Sequence, residues 1–340
     1  MKTIRWGIVG CGDVTEVKSG PALQKAVGSE LVAVMRRDAS KAADYARRHR
    51  VPRWYDDAAM LIDDPHVNAI YIATPPAMHE KYALMACAAG KPCYVEKPMA
   101  RNTAEATRMV DAFSARGLPL FVAYYRRAQP RFAHAKEIIR NGILGPIKNA
   151  SYDYCDSQMA TRNDPVPWRF VPEQSGGGLF FDLGSHALDL MDFFLGSLVD
   201  VVGTGRNIGK RFDAEDFVEL SFGLQEQIKG HARLQFNGGP REDNFKFEGE
   251  KGTLRFSCFG TEPLVLETED SSRRLFEFPP LERVQQPLIQ TIVFTLLGQP
   301  APNWISTGAT ALRTQRVMDL AVERYYGGRE DGFWSRRLPG

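Results

Sequence analysis

Short apolar runs separated by amphipathic stretches organise the first third of the chain. Residues 4–9, 31–35, 69–73, 92–95 and 118–123 are each four to six residues long and apolar on both faces, the pattern of strands buried on both sides. Between them, residues 39–48, 78–89 and 103–116 repeat apolar positions at helical spacing. Strand and helix in alternation, with doubly buried strands, predict a parallel sheet covered by helices on both faces.

The texture changes after Ala123. Tyr124-Tyr125-Arg126-Arg127 leads into a predicted helix over 129–141, closed by Gly142. Beyond Gly145-Pro146 the runs 147–154, 217–222, 228–236, 244–247, 252–256 and 263–267 have period-two or β-rich character, which predicts a mainly antiparallel sheet. Helices are expected over 183–195, 281–297 and 307–326. The pattern divides the chain into an α/β domain of Rossmann type over 1–124 and an α/β domain with a mainly antiparallel sheet over 125–340. Because no series of helices follows to cover the second face of that sheet, a homo-oligomer, dimer or tetramer, is expected to form through it.

At 340 residues, with 44% hydrophobic and 25% charged positions, the chain has the makeup of an ordinary globular protein of about two domains. Its 43 basic and 41 acidic residues leave a net charge of +2, with no clustered basic excess to draw nucleic acid or an anionic membrane. No stretch approaches the ~18 apolar residues of a membrane span, and Gly7, Gly10, Gly12 and Asp13 interrupt the only candidate for a secretory leader. The five cysteines (Cys11, Cys87, Cys93, Cys155, Cys258) are odd in number and scattered, indicating neither a disulfide framework nor a zinc site. A cytoplasmic protein without a metal is expected.

The candidate chemistry begins at Ile8-Val9-Gly10-Cys11-Gly12-Asp13-Val14, a strand running into a glycine turn. Gly10 permits the tight turn, Gly12 lets a pyrophosphate approach the backbone, and Asp13 and Val14 open a helix whose N–H groups face the phosphates. Thr15 stands where a third small residue is usual, implying a slightly looser helix–strand contact. After the second strand, Arg36 occupies about the place of the acidic residue that commonly binds the adenosine ribose, with Arg37 beside it. Two guanidinium groups there suit a 2′-phosphate, so NADP is favoured over NAD. Asp38 keeps NAD open, since it could swing onto the ribose hydroxyls. Further on, Glu96-Lys97-Pro98 and the run Gly176-Gly177-Gly178, Asp182, Gly184, His186, Asp189 contribute a lysine, a histidine and carboxylates. These are the groups needed to move a proton while a nicotinamide moves a hydride. An imidazole, which ordinarily titrates near ~6.5, suits the base that takes a carbinol proton.

These segments, together with Ala73-Thr74-Pro75-Pro76, His79 and Trp168-Arg169, resemble the Gfo/Idh/MocA oxidoreductase family in motif order and spacing over nearly the whole chain. The resemblance implies an N-terminal Rossmann domain and a C-terminal domain whose open sheet carries the substrate pocket and often an oligomer interface. It implies Lys97 beside the nicotinamide and the reacting oxygen, and Asp182 with His186 at the substrate. Thr74, Pro75, His79, Glu96 and Arg169 are then expected near the cofactor. Tyr124 and Arg126, where the domains meet, are candidate substrate contacts, and the segment 156–167 is expected to border the pocket. The implied activity is NAD(P)-dependent oxidation or reduction of a sugar, cyclitol or related polyhydroxy compound. Two other classes stay open: a nicotinamide-dependent glycoside hydrolase working by transient oxidation, and a cofactor-binding regulator without catalysis, against which the intact Lys97, Asp182 and His186 argue.

Overall fold

Burial on both faces shapes the first six strands: β1 (Ile4–Val9), β2 (Ser29–Met35), β3 (Arg53–Tyr55), β4 (Ala69–Ile72), β5 (Cys93–Val95) and β6 (Leu120–Val122). In the computed structural model, which describes residues 3–156, 166–224 and 228–335, they form one sheet in the order β3-β2-β1-β4-β5-β6, all parallel. Two apolar clusters sandwich it. One joins Val9, Ile70, Ile72 and Val95 to Ala83, Met109 and Phe113. The other joins Ile4, Trp6, Ile8 and Tyr71 to Leu23, Tyr45, Leu288 and Ile292. Strand order reverses between β1 and β4, the switch point outside which open parallel sheets bind ligands.

Contacts divide the chain into two units, Met1–Ala100, Ala104–Gln129 and Leu281–Leu312 in the first, and Arg101–Thr103, Pro130–Pro280 and Arg313–Gly340 in the second. A single division at residue 124 leaves Leu281–Leu312 with the later half, yet this segment packs into the first unit. Its helix Gln286–Leu296 buries Leu288, Ile289, Ile292 and Val293 on the sheet, and Thr307 bridges to Phe121. Apolar periodicity marks such a helix but carries no record of which sheet it covers.

The second unit holds β7 (Ile147–Cys155), β8 (Val199–Arg206), β9 (Phe217–Gly223), β10 (Lys229–Gln235), β11 (Glu242–Gly249), β12 (Gly252–Phe256), β13 (Leu264–Thr268) and β14 (Arg273–Phe276). Their order is β14-β13-β12-β11-β7-β10-β9-β8. The β7–β10 pair is parallel and the others are antiparallel. One face carries an aromatic core in which Phe194 meets Phe245, Phe247 and Phe256 edge-on. β8 escapes the period-two reading because Gly203 and Gly205 lie in it. A Cβ on Gly203 would sit 2.5 Å from the Ala321 backbone, so glycine lets the helix Gly308–Tyr326 lie directly on the strand. The opposite face is polar: Arg233 pairs with Asp153 and Glu242, Asn149 bonds Glu248, and Arg255 faces Glu267. Val202 and Leu275 are exposed on the same face near its edges. Among the described residues, no helix is long and apolar enough to cross a membrane.

Two buried ionic groups hold the glycine run that precedes the second functional segment. Arg329 donates to Asp319 at 2.9 Å and to the carbonyls of Arg101 and Gly176 at 2.7 Å, with Phe333 against its guanidinium at 3.8 Å. Removing either charged partner would strand the other in the interior, at about 3–5 kcal/mol. Fully buried Glu215 accepts from Gly178 N at 2.8 Å and from Tyr326. A Cβ on Gly177 or Gly178 would strike the Phe181 ring or the Glu215 carbonyl at 2.3 Å, so close packing on this network requires glycine at both.

Burial pushes the Glu215 carboxyl above its ordinary pKa, the bonds from Tyr326 and Gly178 notwithstanding. A folded-state pKa above the unfolded one gives stability that is full below the unfolded value, near ~4.3, and is lost as pH rises through the folded value. Glu215→Gln removes the titration and retains one acceptor oxygen for Gly178 N, while its NH₂ faces the Tyr326 hydroxyl. The wild-type Tm should therefore fall relative to that of the variant as pH rises above about 4. A Tm difference independent of pH in differential scanning fluorimetry would contradict this.

Candidate functional site

The turn after β1 contains two glycines with different causes. Gly10 has φ of +93°, and a Cβ on it would lie 2.6 Å from Thr74 Cγ2, so the protein's own packing demands glycine. Gly12 is extended, with φ of −159°, and a Cβ there would meet nothing nearer than 4.0 Å. The fold itself would tolerate a side chain at Gly12. Empty space over that backbone is what a pyrophosphate requires, and the residues present therefore fit a dinucleotide. Asp13 and Val14 begin the helix Asp13–Val17, where amides have no intrahelical acceptor. Thr15 does not loosen the turn: fully buried, it accepts from Gly12 N at 3.0 Å and donates to Gly12 O at 2.8 Å.

Beyond β2, half-buried Arg36 reaches back to this turn, its guanidinium 3.4 Å from the Cys11 carbonyl, and Arg37 is exposed. Asp38 is engaged elsewhere. It caps the helix Ala39–His49, accepting from Ser40 Oγ at 2.6 Å and Lys41 N at 3.1 Å. Those bonds, Ser40 first, lower its pKa to about 2.

The loops after β4 and β5 are tied together by His79. Its Nε2 lies 2.8 Å from the Thr74 carbonyl, and its Nδ1 lies 3.1 Å from that of Pro98 and 3.3 Å from that of Met99. The ring is fully buried, and burial lowers its pKa although the carbonyls and Glu96 oppose this. His79 thus faces the protein backbone, and as a neutral imidazole it donates its one N–H either to the Thr74 carbonyl or to those of Pro98 and Met99. Glu96, 7% exposed, accepts from the Tyr71 hydroxyl at 2.6 Å and the Gln285 amide at 2.8 Å, and its other oxygen accepts from Lys97 N at 3.2 Å. Lys97 is half-buried. Neither Tyr71 nor Gln285 is conspicuous in the sequence: Tyr71 reads as strand filler, and Gln285 lies 189 residues from Glu96.

In the second unit the glycine run leads into a π-helical turn, Phe180–Gly184, and then the helix Ser185–Leu195. Asp182 belongs to the π turn and His186 to the helix, so the pair does not share one regular α-helix. Single π turns recur at functional sites. Arg169 donates to Asp182 at 3.1 Å while lying 4.5 Å over the Trp168 ring, a pairing that residue spacing did not anticipate. His186 is 3% exposed and Asp189 1%. The Phe259 ring lies edge-on to His186 at 6.3 Å, on a loop whose amides at Cys258, Phe259 and Gly260 all donate to Asp243.

The structure brings the glycine turn, Arg36 and Thr74 together, joins Thr74 to the Glu96–Lys97–Pro98 loop, and pairs Arg169 with Asp182. Lys97 belongs to the first unit, and Asp182 and His186 belong to the second. Tyr124 is fully buried in the first unit's core, and Arg126 lies half-buried, 5.6 Å over the Tyr125 ring. Most of the segment 156–167 lies outside the described residues. Among the described residues no group of three or more His, Cys, Asp or Glu side chains is placed to hold a metal ion.

Comparison with known proteins agrees with this geometry. Residues 4–124 match the model of the oxidoreductase family with an NAD-binding Rossmann fold, GFO_IDH_MocA, and residues 132–255 match the GFO/IDH/MocA C-terminal domain. The chain is 38% identical over 320 residues to Oxidoreductase P35 of Formosa agariphila, covering 93% of this chain and 98% of that protein. It is 29% identical over 256 residues to scyllo-inositol 2-dehydrogenase (NADP(+)) IolU of Bacillus subtilis, covering 74% and 75%. A levoglucosan dehydrogenase solved in complex with NADH and levoglucosan shares the fold, with a TM-score of 0.86 at 22% identity over 94% of this chain and 96% of that one. With both family models matched and a relative so similar across nearly its whole length, this protein belongs to the Gfo/Idh/MocA family of oxidoreductases.

Proposed function

We propose that the protein is an NADP-preferring dehydrogenase or reductase of a sugar, cyclitol or related polyhydroxy compound. The observation that carries this reading is the Glu96-Lys97-Pro98 segment, pinned through Glu96 by Tyr71 and Gln285 and beyond Pro98 by His79. Such anchoring holds the Lys97 backbone to one place, which a group acting on a reacting oxygen needs. The relatives' names support the substrate class, since an inositol and an anhydrosugar both offer a secondary carbinol among hydroxyls.

In this reading Gly10, Gly12, Asp13 and Val14 receive the pyrophosphate, and Thr74 and Pro75 border the nicotinamide half. When bound, the nicotinamide accepts or delivers the hydride. Lys97 donates a hydrogen bond to the substrate oxygen as charge develops there. His186 takes the hydroxyl proton in oxidation and returns it in reduction. Asp182, oriented by Arg169, binds a neighbouring hydroxyl. Arg169 acts through Asp182, and His79 and Glu96 act by positioning.

NADP preference rests on Arg36 beside the turn and on Asp38 being spent as a helix cap, which removes the carboxylate that would bind an unphosphorylated ribose. The double variant Arg36→Ala/Arg37→Ala should weaken NADPH binding at least about tenfold more than NADH binding, because only NADPH carries the phosphate. Fluorescence titrations giving equal losses for both would remove the preference.

A spectrophotometric screen of sugars and cyclitols with each nicotinamide identifies the substrate. On that substrate, Lys97→Ala and His186→Ala should each lower turnover by about 10²–10⁴-fold while nicotinamide binding survives. Near-normal turnover by either folded variant, in a step limited by chemistry, would overturn its role.

A further inference from the structure

A hydrogen-bonded chain runs through the interior of the first unit, from Ser19 to Lys97. Ser19 Oγ lies 3.3 Å from the Val14 carbonyl and 3.0 Å from the Tyr71 hydroxyl. Tyr71 is 2.6 Å from one oxygen of Glu96, and Gln285 Nε2 donates to the same oxygen at 2.8 Å. The Gln285 carbonyl oxygen in turn accepts from Tyr94 at 3.1 Å. Ser19, Tyr71, Tyr94 and Gln285 are all fully buried, and the rings of Tyr71 and Tyr94 stack at 4.9 Å.

Donor accounting makes the chain directional. The Tyr71 hydroxyl has one proton and two neighbours. Burial first, and then the Glu96 charge, holds this phenol well above its usual pKa, so it keeps that proton. The shorter contact is to the carboxylate, and a charged acceptor takes the stronger bond. With Tyr71 committed to Glu96, the Ser19 hydroxyl can complete the chain only by turning toward Tyr71 and releasing Val14. The Glu96 oxygen facing Lys97 N is thereby left to orient the one backbone amide that carries the lysine.

We infer that Tyr71 and Gln285 are positioning residues for Lys97, acting through the Glu96 carboxylate, with the Ser19 hydroxyl completing the arrangement by donating to Tyr71. The inference rests on the proposed role of Lys97 and adds two residues that do not touch cofactor or substrate. It also ties the segment Leu281–Leu312, which packs into the first unit, to Glu96 through a buried donor 189 residues away in sequence.

The full-length wild type, Tyr71→Phe, Gln285→Met and a control, Ile292→Ala, decide the matter. The control opens a cavity in the same unit at a fully buried position outside the chain of hydrogen bonds. Lysines are labelled by reductive ¹³C-methylation, and the Lys97 resonance is identified by its loss in Lys97→Arg. In Tyr71→Phe the Lys97 resonance should shift and its titration midpoint move. Turnover should fall about 10–100-fold, with the KM for nicotinamide changing less than about threefold. The Ile292→Ala protein, although less stable, should keep the wild-type resonance and turnover. A Lys97 resonance superimposable on the wild type at every pH, in folded Tyr71→Phe, would overturn the inference. Gln285→Met gives the same reading should Tyr71→Phe fail to fold. A wild type that binds neither NADH nor NADPH would sink the proposed function, while the Lys97 resonance would still judge the positioning role.

Discussion

Burying a carboxylate is costly unless donors surround it, and the arrangement of the first unit is organised by the way Glu96 meets that demand. Its donors come from three places: Tyr71 on β4, Gln285 on the segment Leu281–Leu312, and the amide of its own neighbour Lys97. The parallel sheet could close by apolar packing alone. What apolar packing could not do is hold a loop after β5 at one position, because loops at strand ends have few apolar contacts to restrain them. His79 supplies the other restraint, bonding the carbonyls beyond Pro98. The loop bearing Lys97 is thus held from both sides by polar groups that the core itself orients.

The second unit solves the same problem differently. Here the buried carboxyl of Glu215 and the Arg329–Asp319 pair grip backbone rather than side chains, through Gly178 N and the carbonyls of Gly176 and Arg101. Backbone can be gripped this closely only where no Cβ intervenes, which accounts for glycine at 177 and 178. The π turn that follows carries Asp182, and the helix after it carries His186. Ion pairing with Arg169 completes the local order. Each unit therefore sets buried polar groups against its candidate segment, where they fix backbone position.

Much of this was legible in the chain. The runs at 4–9 and 252–256 coincide with β1 and β12, and the other predicted strands and helices fall within a few residues of the observed ones. The three strands that went unread each lack the expected signal. β3 is three residues long, β8 carries Gly203 and Gly205, and β14 reads Arg-Arg-Leu-Phe with its arginines exposed. Short, glycine-bearing or charged edge strands are defined by their neighbours rather than by their own residues. The glycine turn and the Lys97 and His186 segments were likewise visible, because each is a local pattern of a few residues.

Local sequence by itself determined most of the strands and helices, that a glycine turn follows β1, and that the chain carries the Gfo/Idh/MocA motifs. All of these depend on side-chain identity at fixed short spacing, where steric and apolar preferences act directly. Only the tertiary structure decided that Arg169 pairs with Asp182, that the helix Gln286–Leu296 belongs to the first unit, and that Tyr71 and Gln285 share Glu96. Those outcomes turn on which donor reaches which acceptor. That is settled by packing between residues 25 or 189 positions apart, a distance over which periodicity carries no information.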